Sequence, residues 1–209
     1  MLVDALFAGK PKAFGPRQSP SSIIKRPFEQ LHIEIDGAIE DEQGNKKLHG
    51  GPEMALHQFS QESYVVLQNE FTAIAEKLAI GSIGENISAP LMNDRNVFIG
   101  DTYRIGSVII QVNSPRAPCV KINQRYGFQN IDLFIGEQGI TGWYFRVIET
   151  GIMNVGDEIK LEYRLQNTKS IAEIMRLVRE KGSPSSEKLD AAKINGLAAE
   201  WRRKLTKST

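Results

Sequence analysis

Between residues 31 and 35, apolar Leu31, Ile33 and Ile35 alternate with polar His32 and Glu34, the period-two pattern of a strand with one buried face. Gly37 closes that segment, and His32 falls on its surface side. Residues 2–8 are apolar apart from Asp4 and read as a strand ending at Gly9. The stretch 14–22, with Gly15, Pro16, Pro20 and its serines, is expected to be a loop able to border a mouth. A different period begins after Ser60. Tyr64, Leu67, Phe71, Ile74 and Leu78 recur at steps of three and four, which predicts one helix with a single apolar stripe. Ser60 is its cap, and Glu62 sits in the favourable first turn.

Residues 97–99, 107–112, 141–149 and 157–165 read as further strands, with Gly100, Gly106, Gly151 and Gly156 supplying turns and a hairpin expected at 154–157. Residues 131–135 are expected to form a short helix or loop over the end of the sheet. Many short strands without regular strand–helix alternation favour a closed or nearly closed β-barrel with one helix packed beside it, a mainly β fold with helices. The pattern changes after Leu165. Ser170 and Glu173 have capping-box spacing, and Ile171, Ile174, Met175 and Val178 form an apolar face ending near Gly182. A Ser/Pro break then precedes two more short helices carrying Leu189, Ala192, Leu197, Trp201 and Leu205, with Arg202, Arg203 and Lys204 on a solvated face. The expected division is 1–165 as the barrel and 166–209 as a C-terminal helical extension.

A chain of 209 residues can bury a substantial core. With 26 Lys plus Arg against 25 Asp plus Glu, bulk charge supports neither a nucleic-acid polymer nor a membrane as partner. No apolar run is long enough to span a bilayer, and residues near Met1 lack a basic region followed by an apolar core, so a cytoplasmic protein is expected.

Candidate chemistry centres on Ser114, Pro115, Arg116, Ala117, Pro118, Cys119, Val120 and Lys121. Cys119 is the only cysteine, so no intrachain disulfide can form. Its sulfur is either an inert core group or a chemical one. Thiolate is the form that attacks and ligates, and the cations Arg116 and Lys121 favour it. If the segment is a strand, Cys119 and Lys121 share a face. Two prolines argue against a place inside a ladder. Upstream, Gly50 and Gly51 follow His49 in a polar loop; paired glycines let backbone N–H groups approach an anion or a pterin ring, although turn formation alone also explains them. Gly84, Glu85 and Asn86 form a turn-like group whose asparagine can donate and accept. His57 reads first as a packing or hydrogen-bonding residue.

The run Pro115, Arg116, Ala117, Pro118, Cys119 before a basic residue resembles the signature of MOSC domains, named after the molybdenum-cofactor sulfurase C-terminal domain. His49, Gly50, Gly51, Pro52, Ala55 and Leu56 resemble the upstream motif of that family, and Gly84, Glu85 and Asn86 its middle one. Gly142, Trp143, Tyr144, Arg146, Val147, Gly156 and Asp157 resemble the closing segments of its YiiM-type, hydroxylaminopurine-resistance subgroup, whose helical extension the tail also resembles. The resemblance covers roughly residues 2–165. It implies a MOSC-type β-barrel with a packed helix and a C-terminal three-helix extension.

It also implies binding of the molybdenum cofactor (molybdopterin). Cys119 would be the molybdenum ligand and catalytic residue, with Arg116, Lys121, His49, Gly50, Gly51 and Asn86 holding the cofactor. The implied reaction reduces N-hydroxylated bases such as hydroxylaminopurine to amines. No glycine-rich flavin or nucleotide fingerprint is present, so electrons are expected from a separate reductase, a flavoprotein by that analogy. Two alternatives keep Cys119 central: a sulfur carrier using a Cys119 persulfide, and a non-enzymatic cofactor-binding module. A homodimer, the commonest closed arrangement, is the expected assembly.

Overall fold

The computed structural model of the chain describes residues 1–44 and 50–207. Its strands are β1 (Ala5–Ala8), β2 (Lys12–Phe14), β3 (Ser19–Ser21), β4 (Arg26–Phe28), β5 (Gln30–Glu34), β6 (Gly37–Ala38), β7 (Leu56–Gln58), β8 (Ile87–Ser88), β9 (Thr102–Ile105), β10 (Val108–Pro115), β11 (Trp143–Glu149), β12 (Gly151–Asn154) and β13 (Ile159–Tyr163). The helices are α1 (Gln61–Glu70), α2 (Lys121–Tyr126), α3 (Ile131–Gln138), α4 (Ile171–Arg179), α5 (Ser186–Ala191) and α6 (Ala199–Thr206).

Eight strands form one mixed sheet in the order β13-β9-β10-β11-β7-β8-β1-β4, and β12-β5-β6 form a smaller one. The large sheet curls into a half-barrel. Its two ends approach through the N-terminal residues: Leu2 bridges Glu158, and the N–H of Val3 donates to the carbonyl of Asp157 at 2.9 Å. The fold class expected from the sequence is therefore the one observed.

Alternation works as expected in β5, where Leu31 and Ile33 are buried and His32 is exposed. Ile35 lies past the strand end and is 48% exposed. Elsewhere the boundaries move. The N-terminal strand begins at Ala5, not at residue 2. The stretch 14–22 is not a plain loop but contributes to a hairpin of β2 and β3, in which Ala13 faces Pro20. Residues 97–99 form no strand. Val97 and Ile99 are buried, and the segment bonds to the residues leading into α4 instead, the N–H of Ile99 donating to Lys169 O and that of Ile171 to Val97 O. The turn at 154–157 forms, but its flanking strands do not pair: β12 joins β5 and β13 joins β9.

The predicted stripe is buried throughout, yet its helix is interrupted. α1 ends at Glu70 and a 3₁₀ segment continues over Thr72–Lys77. The break places the ring of Phe71 edge-on between Phe128 and Phe134, with centroids 5.6 and 5.4 Å away. Gln68 Nε2 then holds the chain return by donating to Leu78 O at 2.7 Å. Ser60 caps α1 by accepting from Glu62 N, and Ser170 with Glu173 forms the expected capping box of α4.

Two apolar clusters result. The larger fills the concave sheet and includes Ile171, Ile174, Leu177, Trp201 and Leu205 from the C-terminal helices. The smaller gathers Phe59, Tyr64, Leu67, Phe71, Ile83, Ile122 and Ile135 around α1, α2 and α3. A cavity opens beside the smaller cluster, with Ile23 and Ile83 on its wall. Among the described residues no helix is long and apolar enough to cross a membrane.

Candidate functional site

The cavity is open on one side, has a volume of about 130 Å³, and its wall includes Ser21, Ser22, Ile23, Lys25, Asp41, Gly50, Met54, His57, Gly84, Asn86, Arg116, Cys119, Lys121 and Tyr144. A cleft on which several polar and charged side chains converge is the usual form of a small-molecule site. Residues as distant in sequence as Ser21 and Tyr144 meet here because β7 lies beside β11 at the sheet centre, while the β2–β3 hairpin folds over toward α2. Lys121 Nζ ties that hairpin down by donating to Pro20 O at 2.9 Å, and Arg125 donates to Ile23 O.

Cys119 is half-buried on the wall. It lies in irregular chain between the end of β10 and the start of α2, so the strand in which Cys119 and Lys121 would share a face is absent. Pro118 and the helix entry turn the backbone there. Both residues nevertheless reach the same cavity. Arg116 is buried, its backbone N–H donates to Gly142 O at 3.0 Å, and its Nη1 has no partner among the described residues. A buried guanidinium nitrogen left unpaired at a cavity wall is a group prepared for an acceptor.

Asn86 also lines the cavity, but its side chain is engaged by the fold. It accepts from His57 N at 3.1 Å and donates to Phe7 O at 3.1 Å and Asp41 Oδ2 at 2.9 Å. The neighbouring Glu85 lies deeper and organises the turn, accepting from Tyr64 Oη and Gly81 N at 2.6 Å each. Gly50 is on the wall, whereas Gly51, at φ 80°, precedes the 3₁₀ turn Pro52–Met54 and is not. His49 lies outside the described residues.

Three wall residues had no distinctive sequence signal. Lys25 forms a buried ion pair with Asp41; burial lowers the ammonium's pKa, and the adjacent carboxylate opposes that shift. His57, read from sequence as a packing residue, stacks obliquely near Tyr144 with ring centroids 5.4 Å apart. Its Nε2 is buried and unpartnered among the described residues. Burial, with the charges of Arg116 and Lys25, holds its pKa well below 6.5, so the ring is neutral near pH 7. The only available hint was placement, since His57 follows the glycine loop by a few residues; pairing across β7 and β11 brings it inward.

The wall thus combines the cations Lys25, Arg116 and Lys121 with the anions Asp41 and Glu42, and Lys25 and Asp41 neutralise one another. Among the described residues no three His, Cys, Asp or Glu side chains converge as a metal cage. A metal bound at the thiol would therefore draw further ligands from its own cofactor.

The MOSC domain family matches residues 45–160. The chain is 34% identical over 163 residues to protein YiiM of Escherichia coli, spanning 78% of this chain and 72% of that protein. It is 34% identical over 161 residues to a protein of Gibberella moniliformis named reductase, spanning 76% of this chain but only 28% of that longer one. Among solved structures, YiiM from Escherichia coli superposes with a TM-score of 0.78 at 24% identity, covering 94% of this chain and 89% of that one. YiiM from Geobacillus stearothermophilus does so with 0.80 at 23%, covering 98% and 96%. The sequence matches extend through the segment bearing Cys119 and Arg116, and the structures share the half-barrel and its helices: the chain belongs to the MOSC domain family.

Proposed function

We propose that the protein is a molybdenum-cofactor-dependent reductase that converts N-hydroxylated bases to amines. The observation that carries the reading is the juxtaposition, on one cavity, of a half-buried thiol with the buried Arg116 Nη1, which has no partner among the described residues. MOSC domains are associated with molybdenum-cofactor binding, and one relative is named a reductase. The residues fit such a group. A thiolate is a soft ligand suited to molybdenum, and an arginine nitrogen without a partner suits the phosphate of a pterin cofactor. The neutral His57 offers a nitrogen that can donate or accept according to its tautomer. Gly50 leaves backbone at the wall where a side chain would otherwise stand.

When bound, the cofactor would supply two-electron chemistry at the metal. The balance is R–NHOH + 2e⁻ + 2H⁺ → R–NH₂ + H₂O, with the electron pair delivered by a separate flavoprotein reductase. Within this reading Cys119 holds the metal, Arg116 and Lys121 hold anionic oxygens, and Asn86 braces the wall through Asp41 and His57. The chain's remaining task is to exclude bulk water and orient the planar base. The test is metal analysis of protein purified from a molybdenum-replete host, together with turnover of hydroxylaminopurine in the presence of a flavin reductase. Wild type should carry molybdenum and release aminopurine, whereas Cys119→Ser should retain its fold and lose both. A metal-free wild type with cyanide-labile sulfur would instead favour sulfur transfer.

A further inference from the structure

The carbonyl that receives the Arg116 N–H belongs to Gly142, and Gly142 is itself held from the far side. Its N–H donates to Asp94 Oδ1 at 2.9 Å, and Thr141 Oγ1 donates to its carbonyl at 3.0 Å. Gly142 adopts φ +68°, where a Cβ would lie 2.3 Å from the carbonyl oxygen of Gln58 and 3.1 Å from His57 Nε2. Only glycine fits, and because glycine moves freely among backbone conformations, an outside contact is what fixes the orientation of this peptide. Asp94 supplies that contact. It is buried at 3% exposure, and its Oδ2 has no partner among the described residues. Sealing a carboxyl group with one oxygen unpaired is unfavourable, so the Gly142 bond is made against a local energetic cost. The connection runs in one line: Asp94 to the Gly142 amide, the Gly142 carbonyl to the Arg116 amide, and the Arg116 side chain to the cavity.

We propose that Asp94 is a positioning residue for the cavity, fixing the Gly142 peptide that holds Arg116 and thereby keeping the guanidinium on the wall it shares with Cys119. The proposal rests on the reading that Arg116 serves an anionic group in this cavity. It does not require cofactor for its test, because Cys119 is the only cysteine and can report on its own surroundings.

Full-length protein would be alkylated with iodoacetate, an anion, and iodoacetamide, its neutral counterpart, and the ratio of the two rate constants compared. Arg116→Ala sets the ratio without the guanidinium and is expected to fall several-fold below wild type. Asp94→Ala should fall most of the way to that value. Asp94→Asn, whose amide oxygen can accept the same N–H, should restore most of the ratio. General loosening would raise both rates together, so faster labelling by both reagents at an unchanged ratio overturns the proposal. If Arg116→Ala itself leaves the ratio unchanged, the anion reading of the cavity fails, and hydrogen exchange of the Gly142 amide decides the role of Asp94. Protection lost in Asp94→Ala and kept in Asp94→Asn supports it; protection kept in both overturns it. Should Asp94→Ala not fold, Asp94→Ser, which falls short of the Gly142 amide, gives the same two readings.

Discussion

Burial raises the carboxyl of Asp94 from 3.8 to about 7, against the opposing effect of its hydrogen bonds from Gly142 and Thr141. The unfolded chain ionises this group near its ordinary value, so between the two values the folded state binds more protons than the unfolded one. Stability from this group is therefore fully present below pH 3.8 and is lost as pH rises through about 7. Roughly three pH units at about 1.4 kcal/mol each place the ceiling near 4 kcal/mol. Asp94→Asn keeps an oxygen for the Gly142 amide and removes the titration. The assay is urea denaturation of both proteins from pH 4.5 to 8. Titrations common to both proteins cancel, so the difference between the two curves isolates Asp94. The variant should gain on wild type from pH 4.5 up to about 7, by about 2–3 kcal/mol, and run parallel to it above that; the cost of burying the new NH₂ shifts the whole curve without changing this gain. Parallel curves across the range would refute the argument that the carboxyl stays protonated through burial.

His57 carries the opposite sign. Its pKa is held well below 6.5, so its contribution to stability is complete above pH 6.5 and declines as pH falls toward the folded value; ring ¹³C and ¹⁵N chemical shifts should still report a neutral imidazole at pH 6. Tyr64→Phe removes a hydroxyl that donates to Glu85 and accepts from the N–H groups of Ser82 and Ile83 at 3.1 and 3.0 Å. With several buried partners left unsatisfied, the loss should be about 2–4 kcal/mol by chemical denaturation, and a loss under ~0.5 kcal/mol would contradict the network.

What could be read from the sequence is what depends on neighbours a few residues away. The Ser60 cap and the Ser170–Glu173 capping box close over two or three residues, so their chemistry is written in order along the chain. The alternation of Leu31 and Ile33 follows from the pleat of a single strand. The Pro–Arg–Ala–Pro–Cys run is contiguous, and so was the family resemblance it carried. Strand order was not legible, because the parallel pairing of β7 with β8 and the approach of Leu2 to Glu158 depend on segments far apart. The break at Phe71 follows from rings at Phe128 and Phe134, more than fifty residues on, overriding a stripe that satisfies helical spacing equally well. The cavity's other groups escaped for the same reason. Lys25, Asp41 and His57 look like ordinary polar residues until folding removes them from water and aims them at one space. Asp94 is the extreme case: nothing around it in sequence sets it apart, burial in the folded state alone raises its pKa, and only the hydrogen bond from Gly142 connects it to Arg116. Burial and long-range contact, which decide protonation and partnership, are properties of the tertiary structure alone.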